Sequence, residues 1–288
     1  MKPWKSVITS LLLILSILIL MGCSVTKSDA KSTIRLREWK SAKGSQGGIA
    51  VESTHEKAFV YLWFYEWHMF DAVLKGQHTK GSADWLWQVS LEQNQAVMKS
   101  PALSLKMKAT NKGADLMLTI TNKSDHDWPE IAAIIPCFNP GNKTAEVKES
   151  PLFLDKARKN TYFVGPDGLE LLKQREIHFN DAIKSALDRV SPAGKFVFSH
   201  KWPTSDTNAT AGLMVRESED QKWVAGIAWE NFLSAQGHNP WNCMHLSVLV
   251  GPLKRGESKK IRGKIYLFQG TKEDCLKLFY LDFTRKKK

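Results

Sequence analysis

The chain is 288 residues long, enough for one large β domain or two smaller ones. Its 43% of hydrophobic residues and 11 tryptophans can bury a sizeable core, which excludes a disordered chain. The formal charge is +12, of which Lys2 and Lys5 carry two and Arg285, Lys286, Lys287 and Lys288 carry four. No basic stretch is interleaved with aromatic residues, so nucleic acid is not an expected partner, whereas acidic polysaccharide or anionic lipid head groups suit a basic surface.

The first segment reads as an address. Lys2 and Lys5 precede an apolar run over residues 7–21, shorter than the roughly 20 residues of a comfortable membrane span. The run closes on Leu20-Met21-Gly22-Cys23, which resembles the lipobox of bacterial lipoproteins. That resemblance implies a signal peptide over residues 1–22, cleavage after Gly22, and a membrane partner engaged through acyl chains on Cys23. Each buried methylene of those chains contributes about 0.8 kcal/mol. Ser24, where lipoproteins of the inner membrane carry Asp, implies a place in the cell envelope at the outer membrane rather than the inner one.

Residues 23–50 are rich in Lys, Ser and Gly and read as a flexible tether, with one brief alternation at Ile34-Arg35-Leu36-Arg37. A single domain is expected over residues 51–283, with a basic tail over 284–288. Residues 58–67 are aromatic and β-branched, as in a strand buried on both faces. They lead into Glu66-Trp67-His68-Met69-Phe70-Asp71, where Glu66 and His68 share a face at period two. A buried Glu with a raised pKa beside an imidazole is the equipment of general acid–base chemistry. A strand end meeting solvent explains the same residues. His78 and a second aromatic run over 85–91 follow.

Leu103, Leu105 and Met107 alternate with Ser104, Lys106 and Lys108, and Leu116, Leu118 and Ile120 alternate with Met117 and Thr119. Asn111-Lys112-Gly113 lies between them, so this is a hairpin whose polar face meets solvent or a groove. His126, Asp127 and Glu130 follow the hairpin, where Asp125 and Asp127 are turn formers, and His178 and Asn180 are weaker site candidates. Residues 181–190 suggest a short helix.

The richest stretch runs from Trp223 to Phe268. Strand-like residues 223–230 and 246–250 flank a loop holding His238, Asn239, Trp241, Asn242, Cys243 and His245. Polar groups on a loop between rigid strands can build a site, and they can equally cap buried backbone. For a site, His238 and His245 are catalytic candidates with Glu66 and His68. Trp67, Asp71, His78, Asn239, Trp241 and Asn242 are candidates for binding sugar, with rings for CH faces and polar groups for hydroxyls. At the C-terminus Thr271 and Asp274 stand at capping-box spacing, and Cys275, Phe279 and Phe283 form an apolar helical stripe.

With Cys23 acylated, three cysteines remain. Cys137 and Cys243 lie beside proline-containing breaks where a disulfide would tie two parts of the fold, provided their Cα atoms come within about 7 Å; all three thiols packed and reduced is the alternative. No Cys/His spacing suggests a metal site, and no P-loop, dinucleotide glycine motif or Ser nucleophile elbow is present, so no cofactor is expected.

About ten to fourteen strands with little helix imply an all-β, large antiparallel sandwich with a C-terminal helix. The hairpin ending Thr119-Ile120-Thr121-Asn122, the Gly251–Ser258 turn and the Gly263-Lys264-Ile265-Tyr266-Leu267-Phe268 strand with its closing helix resemble secreted β-sandwiches of the galactose-mutarotase-like type. Together with the lipobox and the aromatic-polar loops, that resemblance implies an envelope lipoprotein that binds or modifies a polysaccharide or oligosaccharide. An assembly lipoprotein that holds a protein partner, and a sugar epimerase or polysaccharide lyase, stand as alternatives.

Overall fold

A computed structural model describes residues 33–40, 47–66, 88–140, 151–153, 155–190, 203–239 and 242–284, all within one unit spanning residues 32–288. The strands form two antiparallel sheets. The seven-stranded sheet runs, edge to edge, β1 (Ile34–Lys40), β2 (Gly47–Ser53), β3 (Phe59–Glu66), β8 (Ala133–Asn139), β15 (His245–Leu249), β14 (Phe232–Gln236) and β11 (Ile177–Phe179). The nine-stranded sheet runs β10 (Gly168–Leu171), β9 (Thr161–Gly165), β12 (Ala211–Glu217), β13 (Trp223–Trp229), β16 (Ser258–Gln269), β7 (Gly113–Thr121), β6 (Leu103–Thr110), β5 (Gln95–Lys99) and β4 (Gln88–Glu92). Helix α1 is Lys184–Val190 and helix α2 is Lys272–Thr284.

Alternation decides which side chains meet between the sheets. Leu105 of β6, Leu118 of β7 and Ile265 of β16 join Leu62 of β3, Phe138 of β8 and Val248 of β15 in one buried cluster. Each fully buried side chain of this kind contributes about 1.5–3 kcal/mol. The β6–β7 turn needs a glycine at Gly113. Its φ is +137°, and a Cβ there would lie 1.9 Å from the Ile265 carbonyl oxygen.

Helix α2 starts as its sequence predicts. The Asp274 N–H donates to Thr271 Oγ1 at 3.2 Å, and the Thr271 N–H donates to Asp274 Oδ2 at 3.1 Å, a reciprocal cap with Asp in place of the usual Glu. Cys275 and Phe279 then pack on the outer face of the nine-stranded sheet against Val215, Val224 and Phe268. Burial pushes the Cys275 thiol far up from its ordinary pKa, so it is an inert part of the core. Helix α1, entered through a 3-10 turn at Asp181–Ile183, covers one end of the outer face of the seven-stranded sheet with Ala186 and Leu187.

The expected tether is shorter than its composition suggests. Residues 34–40 and 47–50 are sheet, not linker. Ile34 and Leu36 point into the core, Trp39 packs on the opposite face, and Glu52 clamps Arg35 and Arg37 at 2.7 Å each. Composition misleads here because Arg35 and Arg37 lie on the outer side of β1 and Gly48 lies in β2, where a Cβ would come 2.2 Å from the Leu62 carbonyl oxygen.

Candidate functional site

Two faces concentrate chemistry-bearing residues: the part of the outer face of the seven-stranded sheet around Cys137 and His245, and the outer face of the nine-stranded sheet.

On the first face, register sets the neighbours. Trp63 of β3 pairs with Cys137 of β8, and Tyr61 pairs with Asn139. An isolated bridge between Phe138 and Met244 fixes the start of β15 against β8. Across β14, Gln236 stands opposite His245. Directly paired residues share a face. Aromatic rings therefore meet amide, thiol and imidazole groups here. Trp39 lies 5.6 Å from Tyr61 and 5.1 Å from Trp63 between ring centroids. All these side chains are buried.

The loop before β15 is held at several points. Asn239 Oδ1 accepts from the Cys243 N–H at 3.1 Å, and the Asn242 N–H donates to the Asn239 carbonyl. The Asn242 carbonyl accepts from Nη1 of Arg216 at 3.2 Å, and that buried guanidinium also donates to Thr161 Oγ1. His238 and Asn242 both have left-handed backbone, φ 57° and 60°, which Asn tolerates better than most residues. These bends return the chain from β14 to β15 and turn Cys243 towards Cys137. His238 has a structural role, since its Nε2–H donates to the Leu172 carbonyl. Burial and the nearby Arg158 and Arg216 charges hold the ring below its ordinary pKa against the effect of that bond.

The sequence-predicted residues therefore separate. His245 stands with Cys137 and Cys243; the Sγ atoms and a ring nitrogen all lie within 4.8 Å of one another. The two cysteines expected to bridge are brought together as thiols, not joined in a disulfide. Asn239 and Asn242 are committed to the loop. Glu66 ends β3, opposite Ile135. Trp67, His68, Asp71, His78, Trp241 and Cys23 lie outside the described residues. Of the lesser candidates, His178 is stacked on Phe163 and bonded to the Thr207 carbonyl, and burial holds its ring below its ordinary pKa. His126 pairs with Asp125 on an exposed turn.

The second face was not visible as a unit in the sequence. Lys99 of β5 lies opposite Ser104 of β6, Lys106 of β6 opposite Met117 of β7, and Met117 opposite Arg262 of β16. One step along, Lys108 lies opposite Asp115, and Asp115 opposite Lys264. With Lys260 these residues form adjoining rows on one face. No ion pair among the described residues engages Lys99, Lys106, Lys108 or Lys260, and all four are exposed.

A cleft of about 360 Å³ opens where these rows meet α2, lined by Gln95, Lys106, Lys108, Asp115, Arg262 and Lys264, with Phe283 at its edge. Arg262 is bonded to Glu230 at 2.9 Å and lies 5.4 Å from the Phe283 ring centre. Lys264 sits between Asp115 at 3.0 Å and Asp282 at 3.1 Å. Burial disfavours its charge, but these carboxylates outweigh that and hold it above its ordinary pKa. It is a fixed cation.

No protein-family model matches the sequence, and no curated protein does. Solved structures do resemble it in outline. A galactose mutarotase-like protein from Clostridium acetobutylicum shares 10% identity over 83% of this chain and 99% of its own, with TM-score 0.41. One from Lactobacillus casei shares 10% over 81% and 99%, TM-score 0.39. A galactose mutarotase related enzyme from Lactobacillus acidophilus shares 11% over 82% and 98%, TM-score 0.38. At such values no site residue carries over.

Proposed function

We propose that this chain is an envelope protein, held to a membrane by lipid on Cys23, whose open sheet face binds acidic carbohydrate. The observation that carries the reading is the array of Lys99, Lys106, Lys108 and Lys260, without carboxylate partners among the described residues and set beside the Arg262–Lys264 cleft. Neighbouring strands stand about 4.8 Å apart and alternate residues about 7 Å apart, so the ammonium groups form a grid. A linear glycan carrying a carboxylate on successive sugars meets several points of that grid at once. Flexible lysines follow its bends, and their mutual repulsion is relieved when it binds. Gln95 and Asp115 offer groups for hydroxyls, and Phe283 offers a ring for a sugar's CH face. The lipobox residues Leu20-Met21-Gly22-Cys23 support the anchor. Among the described residues, no helix is long and apolar enough to cross a membrane.

The test uses the full chain in detergent against a polyuronate, a neutral polysaccharide of similar length and single-stranded DNA. The expected result is selective binding of the polyuronate, weakened by salt and reduced about tenfold or more by Lys106→Glu with Lys108→Glu, a change of about 1.4 kcal/mol or more. Equal binding of the neutral glycan, or acidic binding that survives the charge reversal, overturns the reading. Preference for DNA makes the face a nucleic-acid surface instead. Separately, Cys23→Ser abolishes lipid labelling; a variant that still incorporates palmitate disproves the anchor.

A further inference from the structure

The geometry points to Cys137, Cys243 and His245 as a binding site for one thiophilic d10 metal ion, zinc(II) or copper(I). The inference is independent of the carbohydrate reading, which concerns the other sheet.

The three ligand atoms are brought together by pairing, not by sequence proximity. Cys137 lies near the end of β8 and His245 begins β15, the strand beside it. Cys243 precedes His245 by two residues, the spacing that puts side chains of extended chain on one side. All three side chains are buried, and their ligand atoms lie within 4.8 Å of one another. A tetrahedral ion with metal–sulfur bonds of about 2.3 Å and metal–nitrogen bonds of about 2.0 Å sets its ligands roughly 3.5–3.8 Å apart. Rotation of the side chains supplies the remaining contraction. Two thiolates and an imidazole are a soft donor set, which favours zinc(II) or copper(I) over magnesium(II) or calcium(II). Three protein ligands suit trigonal copper(I), or zinc(II) with one exogenous ligand.

The surroundings fit a metal centre in three further ways. Asn139 Nδ2–H points at the Cys243 sulfur at 3.7 Å, and an N–H directed at sulfur stabilises a thiolate over a thiol. The loop carrying Cys243 is fixed by Asn239 and, through Asn242, by Arg216, so the sulfur is placed before any ion arrives. Gln236, 1% exposed and opposite His245, has an Oε1 atom with no hydrogen-bond partner among the described residues. A ligating imidazole must place its second ring N–H, and this acceptor stands on the same face. Trp39, Tyr61 and Trp63 close the cluster on the apolar side. Binding converts two thiols to thiolates and sends two protons to solvent, so affinity rises with pH.

The experiment takes the full chain in detergent, prepared with reductant and then freed of it without oxygen, and titrates zinc(II), cobalt(II) as its coloured surrogate, and copper(I). One equivalent is expected, with a sulfur-to-cobalt charge-transfer band. Metal also protects Cys137 and Cys243 from alkylation on unfolding and raises the thermal midpoint of the unsubstituted chain. Cys137→Ser, Cys243→Ser and His245→Ala lose the band, whereas Cys275→Ser keeps it. Asn139→Leu, which keeps every ligand, weakens binding about 10–100-fold. If a ligand variant fails to fold, alkylation protection and the thermal shift of the unsubstituted chain decide the matter. A reduced chain that binds no metal, or binds it equally after Cys137→Ser, overturns the site. So does a Cys137–Cys243 disulfide that forms and persists with metal present, which would make the pair a structural bridge. Metal bound with polyuronate affinity absent refutes only the carbohydrate reading.

Discussion

The two outer sheet faces handle polar side chains in opposite ways. On the seven-stranded sheet, β8 and β14 are buried along their whole length, so both of their faces are interior. Each Asn, Gln, His or Cys there is costly unless something bonds it. On the nine-stranded sheet, β6 buries every second residue and leaves Lys106 and Lys108 in water. A lysine there costs almost nothing alone, and its meaning comes only from its neighbours. A buried polar group is therefore informative singly, an exposed charge only as part of an array.

The sharpest way to break this contrast is Trp39→Ala, which opens a cavity beside Tyr61 and Trp63. The expected loss is about 3–5 kcal/mol, read from denaturant unfolding. A loss below 1 kcal/mol would mean that β1 is not part of the packed sheet.

Next is Glu52→Gln, expected to cost roughly 1–3 kcal/mol at neutral pH because it removes the negative charge between Arg35 and Arg37 and turns one of the two acceptor oxygens into an NH2 donor. Burial raises the Glu52 pKa, but the two guanidiniums outweigh it and hold the carboxyl below its ordinary 4.5. The native value lies below the unfolded one, so the clamp's contribution is complete above pH 4.5 and is lost as pH falls through the native pKa. The variant should lack that acid-dependent component of stability; an unchanged pH profile would show that the clamp does not hold β1 to β2.

Thr271→Ala removes one side of the α2 cap and is expected to cost about 1 kcal/mol, measured by thermal unfolding. The smallest effect sharpens the comparison from the other side. Lys106→Gln or Lys108→Gln should change stability by less than about 0.5 kcal/mol while weakening polyuronate binding. A stability loss as large as that of Trp39→Ala would erase the distinction between the two faces.

Local periodicity along the chain is enough to place several elements. The β6–β7 hairpin follows from alternation and from the glycine that its turn requires. The start of α2 follows from Thr271 and Asp274, and its docking from Cys275, Phe279 and Phe283 at helical spacing. The all-β class and the C-terminal helix follow from the same short-range signals. Which distant strands lie side by side emerges from the packed fold. Cys137 and Cys243 already suggested a pair by their proline-flanked positions, but His245 joins them only when β15 lies beside β8. The lysines of β5 and β6 look scattered until β7 brings β16 beside them. Residues 34–40 and 47–50, taken for tether, became strand, because Ile34, Leu36 and Trp39 found partners on strands still to come in the chain. Periodicity is written in neighbouring residues and acts within one element, whereas register between strands is set by burying whole faces together. For that reason single members of the candidate sites, Cys137, Cys243 and His245 among them, could be picked out along the chain, whereas their convergence and the lysine rows could not.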